Sequence, residues 1–165
     1  MPAAGGAPAR RLLLALPQSL FDLGSGAAVS MRLLACQLAS RGWQVRAVCT
    51  TATESGRSGL PPVGPRWPAS ARQHLPPATP GAPGRWQIDD GGVNFDLLEL
   101  PEGTRQDWAR LAGAAHEQQV LTLLRQWQPA VLLTFGRDAM DQRIAKAALA
   151  GDTRVVLALH NLAYL

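Results

Sequence analysis

Residues 11–50 read RLLLALPQSLFDLGSGAAVSMRLLACQLASRGWQVRAVCT, and the pattern of this stretch decides the fold. Residues 12–16 form an unbroken apolar run, too short for a helix and of the kind found in a parallel strand covered on both faces. Pro17 stops it. After a loop ending Asp22-Leu23-Gly24-Ser25-Gly26, the run over 27–41 places Ala27, Met31, Leu34, Ala35 and Leu38 at helical spacing, with Ser30, Gln37 and Arg41 on the other side. Gly42 stands where a helix C-terminus favours a residue tolerant of positive φ, and 45–49 returns as a second apolar strand. One βαβ unit is expected. Its glycines let the backbone come close to a ligand, and the free N–H groups and positive dipole end of the helix favour an anion there. A phosphate of a nucleotide or sugar nucleotide fits that site; in the alternative, Gly24 and Gly26 only form the turn into the helix.

The dinucleotide fingerprint G-x-G-x-x-G/A is met poorly. Val29 occupies the third-glycine position, and the loop over 17–26 is too long for a fingerprint that opens directly from its strand. The acidic residue expected after the second strand is also missing at the right distance, since Glu54 opens a Pro-rich segment instead. An NAD-dependent enzyme is therefore disfavoured.

Working outward, 165 residues with 47% hydrophobic content suit one domain with a real core, and 17% charged residues do not suit a disordered or coiled-coil chain. A net charge of +4 raises the question of nucleic acid, but among the 16 basic residues Lys146 is the only lysine and the arginines are spread along the chain. No basic stripe results, so nucleic acid is not an expected partner. Cys36 and Cys49 have no metal-ligand spacing and read as free thiols in a reducing compartment; no metal site is expected. Arg10-Arg11 before LLLAL is not a signal peptide, because the apolar run is too short and Pro17 ends it. No segment approaches the ~20 apolar residues of a membrane span. A cytoplasmic protein is expected, with contact at the membrane surface left open.

Residues 1–9 form a Pro, Ala and Gly leader, expected to be loose, ahead of a single domain over 10–165. Over 51–85, Pro61, Pro62, Pro65, Pro68, Pro76, Pro77, Pro80 and Pro83 predict a long, mobile surface loop with Trp67 as an anchor point. Residues 86–89 and 93–100 flank Asp90-Gly91-Gly92 and predict a β-hairpin. Val93, Phe95 and Leu97 alternate with Asn94 and Asp96, so one face is expected to be wet and the hairpin to be an antiparallel excursion or edge element. A helix over 107–128, capped by Asp107, aligns Trp108, Ala112, His116, Val120, Leu123, Leu124 and Trp127, which makes His116 a core or boundary residue. An apolar strand over 130–135 leads through Gly136 into a helix over 138–150, with Asp138 as cap and Met140, Ile144, Ala147 and Ala148 as the buried stripe. The last strand spans 154–159. This order predicts an α/β fold: a doubly wound, mostly parallel sheet with helices on both faces and a hairpin excursion. Ligands of such sheets sit beyond the strand carboxyl ends, where Gly24, Ser25 and Gly26, then Gly136 to Asp138, then His160 and Asn161 all fall.

The strand, the loop with GSGAA, the helix ending ASRGWQV, the strand ending VCTT, and then WQPAVLLTFG and VVLALHNLAY together resemble the N-terminal, acceptor-side domain of family-4 retaining glycosyltransferases of the GT-B fold. The resemblance implies a Rossmann-like half of a two-domain enzyme whose site lies in the cleft between the halves. It implies a nucleotide-sugar donor, a sugar, lipid or small-molecule acceptor, and no cofactor or metal. Gly24, Ser25 and Gly26 match the glycine loop that approaches the donor's phosphates and the transferred sugar, and His160 matches a histidine close to that sugar. The family loop often reads Gly-Gly followed by an acidic residue, whereas Ala27 and Ala28 stand here. The glutamate pair and basic residues that hold the nucleotide belong to the C-terminal domain, so the 165 residues are expected to be the N-terminal part of a transferase, inactive alone. The alternative is a stand-alone Rossmann-like binding module, or a non-catalytic subunit that completes a site with a partner chain.

Overall fold

The computed structural model describes residues 10–53, 55, 59–77, 79–101, 108–135 and 139–158. The opening stretch folds as the βαβ unit its pattern dictates: β1 (Arg11–Ala15), α1 (Gly26–Ser40) and β2 (Gln44–Thr50), with β1 and β2 parallel. Leu12 to Leu16 are at most 3% exposed, as an apolar strand covered on both sides must be. On α1 the buried residues are Ala28, Met31, Arg32 and Ala35, while Leu34 and Leu38 pack at the margin of the same core.

Beyond β2 come β3 (Arg72–Leu75), β4 (Arg85–Asp90), β5 (Val93–Leu98), α2 (Trp108–Trp127), β6 (Val131–Thr134), α3 (Ala139–Ala150) and β7 (Arg154–Leu157). The sheet order is β3-β4-β5-β2-β1-β6-β7, antiparallel only where β4 meets β3 and β5. This is a doubly wound, Rossmann-like α/β fold. One face, formed by Leu12, Leu14, Val45, Ala47, Val93, Phe95 and Leu97, packs under α1. The other, formed by Leu13, Ala15, Val48 and Leu132, packs under Val120 of α2 and Met140, Ile144 and Ala148 of α3. Strand residues alternate between the two cores because successive side chains leave opposite faces.

Three expectations need correction. The hairpin is real, closed by Gly91 and Gly92 at φ 58° and 79°, the geometry of a two-residue turn that matches strand twist. However, β5 is no edge element: it pairs in parallel with β2 from Val45↔Val93 to Thr50↔Leu98. Of its polar positions Asp96 is not wet either, because Gln119 Nε2 of α2 donates to its Oδ2, whereas Asn94 bonds Asp89 at the surface. Second, the Pro-rich segment carries an edge strand, β3, since 70–75 is free of proline and an outer strand needs partners on one side only. Its Trp67 is 7% exposed, the anchor expected of it. Third, Ala147 of α3 is exposed, and Asp141 takes its place on the buried stripe. The caps assigned to Asp107 and Asp138 lie outside the described residues.

Asp96 illustrates the cost of that cover. Burial pushes its carboxyl pKa up, against the pull of Arg85, whose Nη1 lies 3.7 Å from Oδ2. A carboxyl that holds its proton more tightly folded than unfolded contributes stability below its ordinary value of 3.8 and loses it as pH rises through the folded value. Asp96→Asn removes that loss, so the stability of the variant relative to the parent should climb from about pH 4 upward and then level off. Urea unfolding midpoints across pH 3.5–7 measure it; a relative stability that falls with pH would show Arg85, and not burial, to dominate.

Candidate functional site

The chain steps from β1 to β2 on one side and later places β6 on the other side of β1. The order reverses between β1 and β6, and in open α/β sheets a ligand crevice opens beyond the carboxyl ends at such a point. The segment between β1 and α1 lies there. Leu16 N–H still bonds Val48 O at 3.0 Å, and Ser19 N–H bonds Ala52 O at 2.7 Å, so the loop leaves the sheet alongside β2. The Thr50 hydroxyl donates to Pro17 O and the Ser19 hydroxyl to Gly59 O, which pins the loop from two directions.

Its far half is a chain of local caps. Asp22 Oδ1 accepts Gly24 N–H at 3.0 Å, Asp22 O accepts Ser25 N–H at 3.2 Å, and Gln18 Nε2 donates to Ser25 Oγ at 2.9 Å. Ser25 caps α1: its hydroxyl accepts Ala28 N–H at 3.4 Å and its carbonyl accepts Val29 N–H at 3.1 Å. The amides of Gly26 and Ala27 precede the first intrahelical acceptor, as in any helix. No acidic residue stands in the first turn of α1 to compete with an anion. Ser19, Asp22 and Ser25 are buried while Leu23, Gly24 and Gly26 are exposed, so the capping chemistry is internal and the glycines face outward. A Cβ on Gly26 would meet nothing within 4 Å, whereas one on Gly24 would stand 3.2 Å from Asp22 Oδ1. Space for a side chain at Gly26 exists, so packing within the chain does not demand glycine there.

Of the residues singled out from sequence, Gly24, Ser25 and Gly26 are thus brought to the β1–β6 switch. Gly136, His160 and Asn161 lie outside the described residues. Phe135, next to Gly136, and Ala158, two residues before His160, stand at the carboxyl ends of β6 and β7, and Ala158 N–H bonds Thr134 O at 2.9 Å. His116 is fully buried on α2, as its place on the apolar stripe predicts. Cys49 is buried and its thiol is pushed up to about 12 by burial, a poor nucleophile; Cys36 is half-buried, its Sγ 3.7 Å from Asp90 O.

Two groups escaped the sequence reading. Thr134 ends β6 fully buried, and its hydroxyl donates to Oδ1 of Asp141, 1% exposed, at 3.2 Å. Asp141, Ile144 and Ala148 recur at helical spacing, which is the signal that places a carboxylate on the inner face of α3 next to the switch. Arg32, 4% exposed, follows Met31 on the inner face of α1. Burial lowers its pKa, with Arg66 acting in the same direction and Asp90 opposing. No family profile, curated protein or solved structure matches the chain.

Ser25→Ala removes the acceptor of Ala28 N–H and of the Gln18 amide together, and should cost about 1–2 kcal/mol, the upper part of the range for a lost N-cap. Chemical denaturation of the variant checks this; a loss under ~0.5 kcal/mol would mean that Asp22 alone holds the turn.

Proposed function

We propose that this chain is the acceptor-side half of a retaining glycosyltransferase of the GT-B type, moving a sugar from a nucleotide-sugar donor to an acceptor. The observation that carries the proposal is the outward-facing Gly24 and Gly26 on a Ser25-capped helix start at the β1–β6 switch, with room at Gly26 that the chain leaves unfilled. Backbone without side chains lets a sugar and its diphosphate come close, and helix-start amides favour the charge that develops as the sugar–phosphate bond breaks. The switch-point crevice would be one wall of the cleft. In this family the nucleotide is held by a second domain, so turnover belongs to the two-domain enzyme and His160 and Asn161 would act at its mouth.

A second reading, a binding module or non-catalytic subunit, finds support on the β7 edge. Val156 and Leu157 are 47% and 53% exposed there, an apolar strip that either a second domain or a partner chain could cover.

Gly26→Ala separates a ligand-facing glycine from a merely structural one. A methyl group has space and alanine suits a helix start, so thermal stability should hold or rise slightly. In the two-domain enzyme, sugar transfer should fall about tenfold or more, as a misplacement near 1 Å commonly costs. Transfer at the parent's rate in Gly26→Ala, or no transfer from any nucleotide-sugar in the parent itself, would overturn the proposal.

A further inference from the structure

A second polar centre lies under α1, apart from the switch point. The Arg32 guanidinium is 4% exposed and packs against two rings that themselves meet edge-on, its Cζ 5.3 Å from the Phe21 centroid and 5.1 Å from that of Trp67. Cation–π attraction accounts for those contacts. Neither ring offers a lone-pair acceptor to the guanidinium N–H groups. Among the described residues, Arg32 Nε and Nη1 have no hydrogen-bond partner, and neither has the adjoining Trp67 Nε1, although all are buried. Three orphaned donors on two adjoining residues are a rare and costly arrangement, because buried N–H groups are almost always paired.

Neighbouring charge gives the sign of what would pair them. Arg66 lies over Trp67 at 4.8 Å, and its Nη2 is 3.8 Å from Asp90 Oδ2. Asp90 thus faces Arg66 at the rim, and two guanidinium groups share one carboxylate. An excess positive charge remains in a place where water is largely excluded. The cover over it is pinned: Gly59 N–H bonds Thr51 O at 2.9 Å, and Gly59 sits so close to Ser19 that a Cβ would stand 2.4 Å from the serine Cβ. Trp67 therefore caps Arg32 from a segment anchored at Gly59.

We propose that Arg32 and Trp67 form the core of a binding site for a small oxyanion, a carboxylate or phosphate group, enclosed between α1 and the segment ending at Trp67. Nε and Nη1 point to different sides of the guanidinium, so such a group takes one charge-assisted bond from Arg32, and the Trp67 N–H supplies a second. Arg66 at the rim draws the anion in, and Asp90 weakens it by competition. This site does not depend on the transferase proposal, since it draws on none of Gly24, Ser25 or Gly26.

Thermal unfolding and calorimetric titration of the full chain with sodium phosphate and with sodium acetate, each against sodium chloride at equal ionic strength, test it. The parent should show a saturable stabilisation by at least one of the two anions; phosphate alone or acetate alone identifies the class of ligand, and either supports the site. Arg32→Met should weaken the apparent affinity about tenfold or more, the scale of a lost charge-assisted pair, while Arg125→Met on the exposed face of α2 should not change it. Asp90→Asn should tighten binding. Trp67→Phe keeps the ring and removes the N–H, so it should bind more weakly than the parent and stands in if Arg32→Met does not fold. Absence of a saturable effect in the parent, or the parent's affinity retained in Arg32→Met or in Trp67→Phe, overturns the proposal and leaves Asp90 as the counter-charge of Arg32.

Discussion

Strand β1 sends Leu12, Leu14 and Leu16 into the core under α1 and Leu13 and Ala15 into the core under α2 and α3, all of them essentially inaccessible to water. Neither set can be exposed without loss of a hydrophobic layer worth about 25 cal/mol for each Å² returned to water. The two-sided burial fixes the register of β2 and β6 on either flank, because a one-residue slip would turn both apolar sets to the wrong side. It also fixes where the chain reverses. With β2 on one flank and β6 on the other, the loop that leaves β1 starts at the point where the strand order reverses. The position of the candidate site is in this sense a packing result before it is a functional one.

Within that crevice, structure and chemistry divide the work by side. Ser19, Asp22 and Ser25 face inward and are consumed by the loop's own hydrogen bonds, which settles the path of the backbone. Gly24 and Gly26 face outward; the Gly24 N–H is held by Asp22 Oδ1, and Gly26 has open space where a side chain would stand. A rigid loop with bare backbone on its outer side is what close approach of a polar ligand requires, since the amides are held in place before the ligand arrives.

Much of this was legible in the residues. The continuous apolar run at 12–16 and the mostly apolar 45–49 gave parallel strands, and the Gly91-Gly92 pair gave the hairpin, because each signal is local and has one dominant physical cause. The place of β5 was not legible. Alternation of Val93, Phe95 and Leu97 with Asn94 and Asp96 is what a strand with one wet face shows, and only the docking of α2, which the strand's own residues do not encode, covers Asp96. Proline counting likewise hid β3, since composition over 51–85 averages away the proline-free window. At the sites, the capping role of Ser25 follows from its position before an apolar-periodic run. Arg32 and Asp141 were missed because a charged residue beside a buried stripe is ordinarily assigned to solvent, and the rings or hydroxyl that receive it come from other elements.

The partnership of Leu12 with Val131 has a kinetic side. The unit made of β1, α1 and β2 closes through short-range contacts and can form soon after it is synthesised, whereas the β6 flank of β1 waits for a strand that emerges much later. Until then the most apolar strand of the molecule presents an open row of backbone donors and acceptors. Vectorial synthesis therefore leaves this chain with a transient sticky edge at its own centre, and the order in which its halves appear, as much as its final contacts, governs how much of it reaches the folded state.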